Sequence, residues 1–353
     1  MRPNSFLKVT ILFLSLFCIQ LHNIAQTIDN VLNKPQLKVL DIGNSYTEDA
    51  TAMLKLLTQA NQMDVSDMCL YKATRSGGSF KNWFDIYHDN YHHEYKISKV
   101  LGGIKANISI GRGEPNDGAL FREILTNEEW DIIIIHQVSI YAPYYEQWKG
   151  TGEDGYLNEY LSLIKELQPQ AKIGFLLVHS YWDGYGGNQA QSSLLRWELI
   201  ANSVKRLCEE YPIDLVIPYG TAIENLRSSS LNNEYDLTRD GTHCGLGLAR
   251  YTAACCYYES LLAPRSGMTI LGNPVRYDAS NDESTYPAIS VTDDNALIAQ
   301  WAAVLATKNY YECVNPEDVM NSINVLDDST CPCSNNTSIY HVGEAVSRHT
   351  NTA

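Results

Sequence analysis

Four consecutive isoleucines, Ile132–Ile135, stand between Asp131 and His136, and this run constrains the fold more than any other stretch. An apolar run without side-chain alternation suits a strand buried on both faces, and such strands belong to parallel sheets covered by helices on each side. The strand drawn around it covers 131–139, and four other segments fit the same sheet: 37–43 (LKVLDIG), 68–74 (MCLYKAT), 171–180 (AKIGFLLVHS) and 213–218 (IDLVIP). Between and after them, 49–62, 119–130, 156–168, 191–211 and 246–263 carry apolar residues at helical spacing. The alternation predicts one α/β domain with a central parallel sheet and flanking helices. A further helix, with an N-cap signal, is expected over 292–308.

Ligands of such sheets bind outside the carboxyl ends of the strands, where Ser45, Gly77, Gln137, Tyr181 and Tyr219 would gather. Three features with chemical potential fall there. The first is Ser45 in VLDIGNSYTED (39–49), directly after the first strand. Taken alone, Gly-Asn-Ser ahead of a helix is turn and cap chemistry as readily as a nucleophile. The second is RSGGS (75–79), where Gly77 and Gly78 offer unhindered backbone N–H groups. The third is TRDGTHC (238–244), with Asp240 and His243 three residues apart. A serine hydroxyl needs a base to take its proton, the base needs an orienting acceptor, and the developing oxyanion needs donors aimed at it. The three features, in that order along the sheet, can supply those parts.

These residues resemble the SGNH (GDSL-type) hydrolase superfamily. DIGNSYT (41–47) looks like its nucleophile block, SGG (76–78) like its glycine block, and DGTHCGLGLARYTAACCYYE (240–259) like its closing Asp-x-x-His block. The resemblance covers about 37–263 and implies a flavodoxin-like three-layer sandwich, no cofactor and no metal. It implies Ser45 as nucleophile, His243 as base and Asp240 as its partner, with an oxyanion hole from the Ser45 N–H and that of Gly77 or Gly78. Two departures stand out: Asn44 replaces the commoner aspartate, and HQVS (136–139) replaces the usual Gly-x-Asn-Asp block. Gln137 is the candidate for the missing asparagine donor, and His136 is read as a core or supporting residue. Thr47 stands where a G-x-S-x-G elbow would need its second glycine.

With 26 Lys and Arg against 41 Asp and Glu, the net charge is −15, which argues against nucleic acid or an anionic membrane as the main partner. Residues 1–25 read as a secretory leader, with Arg2 and Lys8 before the apolar VTILFLSLFCI and a cleavage site after Ala25. Phe17 before Cys18 speaks against a lipid-anchored cysteine, and the run is short for a membrane span. The expectation is a secreted or periplasmic protein with a hydrolase domain over 26–326 and a loosely ordered tail over 327–353. No cysteine spacing matches a zinc site, and Cys255, Cys256, Cys331 and Cys333 leave disulfide pairing open. The aromatic loops 139–148 and 180–187 fit sugar stacking through Tyr141, Tyr181 and Trp182 as readily as ordinary loop packing. Arg75 and Arg239 flank the glycine and Asp-His turns, which suits acetyl or methyl esters on an acidic, pectin-like polymer. The expected function is a carbohydrate esterase. The alternatives are a non-catalytic carbohydrate-binding protein on the same fold and a lipase-type esterase. Oligomeric state is not legible.

Overall fold

The computed structural model describes residues 28–89, 93–114, 116–186, 192–233, 235–281 and 288–330. The leader, Cys331, Cys333 and the chain beyond Thr330 lie outside the described residues. The strands are β1 (Leu37–Gly43), β2 (Met68–Thr74), β3 (Tyr95–Gly102), β4 (Gly111–Gly113), β5 (Ile132–Ile135), β6 (Lys172–Leu176) and β7 (Leu215–Ile217). The helices are α1 (Ser45–Thr51), α2 (Leu54–Ala60), α3 (Phe80–Tyr87), α4 (Ala119–Thr126), α5 (Tyr145–Trp148), α6 (Leu157–Leu167), α7 (Ser193–Glu210), α8 (Tyr219–Arg227), α9 (Leu248–Leu261), α10 (Ala263–Ser266), α11 (Asp293–Ala306) and α12 (Pro316–Thr330).

One seven-stranded sheet runs in the order β4-β3-β2-β1-β5-β6-β7. β2, β1, β5, β6 and β7 are parallel, which is the flavodoxin-like order once the two added strands are set aside. The four isoleucines of β5 are each 0% exposed, as a strand covered on both faces requires. Helices α1, α2, α8, α9 and α11 contact one another, and α3, α4 and α6 form a second group. The result is the expected three-layer α/β sandwich. On the second side Phe80 of α3 packs against Tyr160, Phe175 and Trp148.

The structure adds a hairpin that the apolar runs did not reveal. β3 pairs antiparallel with β2, and β4 antiparallel with β3. Its register shifts between Leu70 and Tyr71. Tyr95, Ile97 and Leu101 turn inward while Lys96 and Lys99 are exposed, the half-buried alternation of an edge extension. The helix expected over 49–62 is two helices, and the first begins earlier than expected, at Ser45 itself. The strands drawn over 131–139 and 171–180 end at Ile135 and Leu176. Their remaining residues are buried loops at the carboxyl edge, and that edge is where β1 delivers Ser45.

Candidate active site

β1 ends at Gly43 and α1 starts at Ser45, so a single residue makes the turn. That residue, Asn44, is extended and caps the helix: its Oδ1 accepts from the Tyr46 N–H at 2.9 Å. Its Nδ2 donates to the Gly78 carbonyl at 3.0 Å. One amide therefore ends the strand, starts the helix and fixes the glycine turn after β2. The Gly43 carbonyl accepts from Arg75 N and Trp83 Nε1, both at 3.2 Å. The cap and the candidate nucleophile are thus adjacent residues: Asn44 caps, which leaves the Ser45 hydroxyl uncommitted to the helix.

His243 Nε2 lies 2.9 Å from Ser45 Oγ, and its Nδ1 lies 2.7 Å from Asp240 Oδ2. The other Asp240 oxygen accepts from the N–H groups of His243 and Thr242 at 2.8 and 3.0 Å, and from the Thr242 hydroxyl. The short spacing of Asp-x-x-His makes this local closure possible. Partial desolvation pushes the Asp240 carboxyl up, but the bonds from His243 and Thr242 outweigh it and hold the group at about 2. An ionised Asp240 keeps a proton on Nδ1 and leaves Nε2 as the acceptor facing the serine, the arrangement that general-base chemistry needs.

The loop carrying Asp240 and His243 is strapped to α1. Asp49, 0% exposed, accepts from Arg239 Nη1 at 2.9 and 3.1 Å, from Arg250 Nε at 2.7 Å and from the Cys244 N–H at 3.1 Å. Tyr46 donates to the Thr242 carbonyl at 2.5 Å and stacks on His179 at 4.7 Å between centroids. Burial and the nearby Arg227 charge both push His179 well below the usual histidine range. Arg227 is itself buried, bonding Glu224 Oε2 and the Ser180 and Asp236 carbonyls.

One sequence expectation is corrected and another narrowed by these commitments. Arg239 is spent on Asp49 and the Cys244 carbonyl, so it braces the Asp-His loop and is not a free cation for substrate. Gln137 is 1% exposed; its Oε1 accepts from Val138 N at 2.9 Å and its Nε2 donates to the Asp154 carbonyl at 3.0 Å. It ties the loop after β5 to the 150–155 loop, and only the second hydrogen of its amide remains for the role of the missing asparagine. Gly78 is also engaged: its N–H donates to the Arg75 carbonyl at 3.1 Å, and an added Cβ would lie 2.9 Å from Trp83 Nε1. Gly77 differs, with φ +58° and no heavy atom within 4 Å of an added Cβ. Ser45, as the first helical residue, has an N–H without an intrahelical acceptor. Of the expected oxyanion donors, the Ser45 and Gly77 N–H groups are the ones kept as candidates.

Arg75 stands beside the glycine turn, with Nη1 donating to Asn82 Oδ1 at 2.6 Å. Tyr181 is half-buried, its hydroxyl 3.0 Å from Ser139 Oγ and its ring under the Arg196 guanidinium at 4.0 Å. Trp182 stacks on Tyr235 at 5.4 Å, and its backbone N–H donates to the Gly241 carbonyl at 3.0 Å. The aromatic loop after β6 therefore packs onto the Asp-His loop, leaving Tyr185 45% exposed beside it. Tyr141 is half-buried and receives the Trp148 N–H on its carbonyl at 2.9 Å. Tyr219 is fully buried at the start of α8 and contributes no surface. Among the described residues, no group of three or more His, Cys, Asp or Glu could hold a metal, and no helix is long and apolar enough to cross a membrane. Cys255 and Cys256 are buried free thiols in α9.

Residues 38–289 match the family model described as a domain of unknown function, DUF4886. A DUF4886 family protein from Bacteroides uniformis has a similar structure: 23% identity, 80% of this chain and 99% of that one covered, TM-score 0.62. That likeness shows a shared fold. Weaker likenesses reach a protein described as a GDSL-like lipase from Parabacteroides merdae (14% identity, 65% and 96% covered, TM-score 0.40). They also reach a catalytic mutant of an acetylxylan esterase from Geobacillus stearothermophilus (14% identity, 64% and 94% covered, TM-score 0.39). No curated protein matches the sequence.

Proposed function

This chain belongs to the DUF4886 family, and we propose that it is a serine esterase acting through an acyl-enzyme. The single observation that carries the reading is the aligned contact chain Ser45 Oγ–His243 Nε2 at 2.9 Å and His243 Nδ1–Asp240 Oδ2 at 2.7 Å. Ser45 attacks the ester carbon as His243 takes its proton, and Asp240 stabilises the imidazolium that forms. The Ser45 and Gly77 N–H groups meet the oxyanion. Collapse expels the alcohol with the proton returned from His243, and a water activated by the same imidazole then releases the acid.

The proposed substrates are acetyl or methyl esters of carbohydrate outside the cell. Support comes from the exposed Tyr185 and half-buried Tyr181 and Trp182 beside the Asp-His loop, which suit sugar faces, and from the apolar leader. Recognition of an acidic, pectin-like polymer is the finer part of this proposal; Arg75 and Arg239 flank the site but both already hold partners within the protein. On a methyl ester, methanol leaves first and the acyl-enzyme stays on the polymer.

Purified protein assayed on aryl acetate, acetylated xylan and methylated pectin tests the reading, with Ser45→Ala as control. The expected loss is roughly a thousandfold or more in kcat. Equal turnover in both proteins would end the esterase reading. The commitment of Gln137 to Asp154 favours one competitor, a carbohydrate-binding protein without turnover. It predicts sugar binding in both proteins and hydrolysis in neither.

A further inference from the structure

Beneath the nucleophile turn lies a buried polar chain that the ester chemistry leaves unused. Asp41 of β1 and Thr47 of α1 are 0% exposed, and His136, directly after β5, is 1% exposed. Thr47 Oγ1 is 3.0 Å from Asp41 Oδ1 and 3.1 Å from His136 Nε2. Tyr257 of α9 donates to Asp41 Oδ2 at 3.0 Å, and His136 Nδ1 lies 3.1 Å from the Gln137 carbonyl. The turn rests directly on this chain: a Cβ added at Gly43 would sit 2.1 Å from His136 Nε2 and 2.3 Å from Thr47 Oγ1.

The protons can be counted. A carbonyl only accepts, so His136 Nδ1 carries a hydrogen, and a neutral imidazole then has Nε2 as an acceptor. The Thr47 hydroxyl has one hydrogen and faces two acceptors, Nε2 and Asp41 Oδ1. With an ionised Asp41, one of those contacts lacks a proton. Moving the imidazole hydrogen to Nε2 only transfers the deficit to the Gln137 carbonyl. One added proton on Asp41 Oδ1 satisfies every contact, in the order Asp41 to Thr47 to His136.

We propose that Asp41, Thr47 and His136 form a proton-sharing chain that positions the first turn of α1, and with it Ser45, only while the chain holds this added proton. The catalytic half of this inference rests on the esterase reading; the proton itself does not. The groups facing the chain are Tyr257 from α9, Tyr160 from α6 and Lys72 from β2, whose Nζ donates to Thr51 Oγ1 at 3.1 Å with Glu48 nearby. Burial raises Asp41 to about 7 against the Thr47 and Tyr257 bonds and the Lys72 charge; burial also lowers His136 to about 4. Both shifts favour the neutral acid beside the neutral imidazole. Loss of the proton turns the Thr47 hydrogen to the carboxylate and leaves two lone pairs facing each other under the turn.

Asp41→Asn tests this, because its amide can present a permanent hydrogen to Thr47. The wild type is expected to lose ester turnover several-fold between pH 6 and 8, a window set around the Asp41 value of about 7, and Asp41→Asn to lose that limb. Thr47→Val is expected to lower kcat at every pH with KM little changed. The unmodified protein supplies a readout free of turnover: its His136 Nε2 nitrogen resonance is expected to shift toward an unbonded acceptor with a midpoint near 7. A resonance that stays constant across that window overturns the proton chain, whether or not any ester is hydrolysed. A titrating resonance with the same alkaline limb in Asp41→Asn overturns its link to Ser45 and leaves the esterase reading intact. A titrating resonance in a protein that hydrolyses nothing supports the chain and counts against the esterase reading alone.

Discussion

Asp49 and Arg239 meet at 2.9 Å and join the helix that Ser45 begins to the loop that carries Asp240 and His243. The carboxylate is fully buried, while the Arg239 and Arg250 side chains keep 16% and 26% of their exposure. The pair therefore sets the distance between Ser45 and His243 across most of the sequence. Shifts of about 1 Å in such geometry can cost on the order of a hundredfold in rate.

Asp49→Ala is expected to leave two guanidinium groups and the Cys244 N–H without their shared acceptor. The loss of stability should be about 1–3 kcal/mol, because both arginines retain some water. Urea denaturation measures it. Turnover per folded molecule should fall through kcat, with KM changing less.

Asn44→Asp keeps the helix cap but removes the Nδ2 donor that reaches the Gly78 carbonyl at 3.0 Å. A carboxylate oxygen would then face that carbonyl and push the glycine turn away from Ser45. The expected result is roughly a tenfold or larger fall in kcat on a small ester. Unchanged kinetics would show that the glycine turn holds its position without Asn44.

Gln137→Leu separates a loop tie from an oxyanion donor. Loss of an oxyanion donor costs about a hundred- to a thousandfold in kcat. The bonds of Gln137 to Val138 and Asp154 predict a lower melting temperature and less than about a tenfold change in kcat, well short of that. A loss in the hundreds with an unchanged melting temperature would return Gln137 to the oxyanion hole.

Asp240 is held at about 2, below the ordinary value of 3.8. A folded-state value below the unfolded one contributes stability that is full above about 4 and lost as the pH falls from there through about 2. Asp240 is thus ionised throughout the range in which histidines titrate. Asp240 should accordingly add no limb of its own to the pH–rate profile near neutral pH. Melting curves of wild type and Asp240→Asn should converge as the pH approaches 2.

Asp41 works in the opposite direction. Its folded-state value of about 7 lies above the model-peptide value of 3.8, so the native state keeps a proton that the unfolded chain has released. Its contribution to stability is present below about 4 and is lost as the pH rises to about 7. Relative to Asp41→Asn, the melting temperature of the wild type should decline across that window.

Much of this site was legible because its signals are local. An isoleucine run marks a doubly covered strand, helical spacing marks what lies between, and Asp-x-x-His closes on itself within one turn. The Gly-Asn-Ser ambiguity resolves because Asn44 takes the cap and leaves Ser45 free of it. The β3–β4 hairpin went unread because its alternation of Tyr95, Lys96 and Ile97 is short and ends at glycines. Asp49 and Asp41 did leave traces: each is an acid set among residues that face the core, a placement that demands a partner. The sequence did not name those partners.

The sequence by itself determined the parallel sheet and the carboxyl edge at which Ser45, Gly77, Asp240 and His243 arrive. Periodicity and turn chemistry act between near neighbours and can be read from them. Only the tertiary structure decided which polar groups remain available at that edge. Arg239 has the chemistry for substrate, but Asp49 already holds it, and the Asp154 carbonyl takes one of the two amide hydrogens of Gln137. A hydrogen bond has limited capacity and short reach, so its owner is fixed by which distant segments the fold brings within about 3 Å.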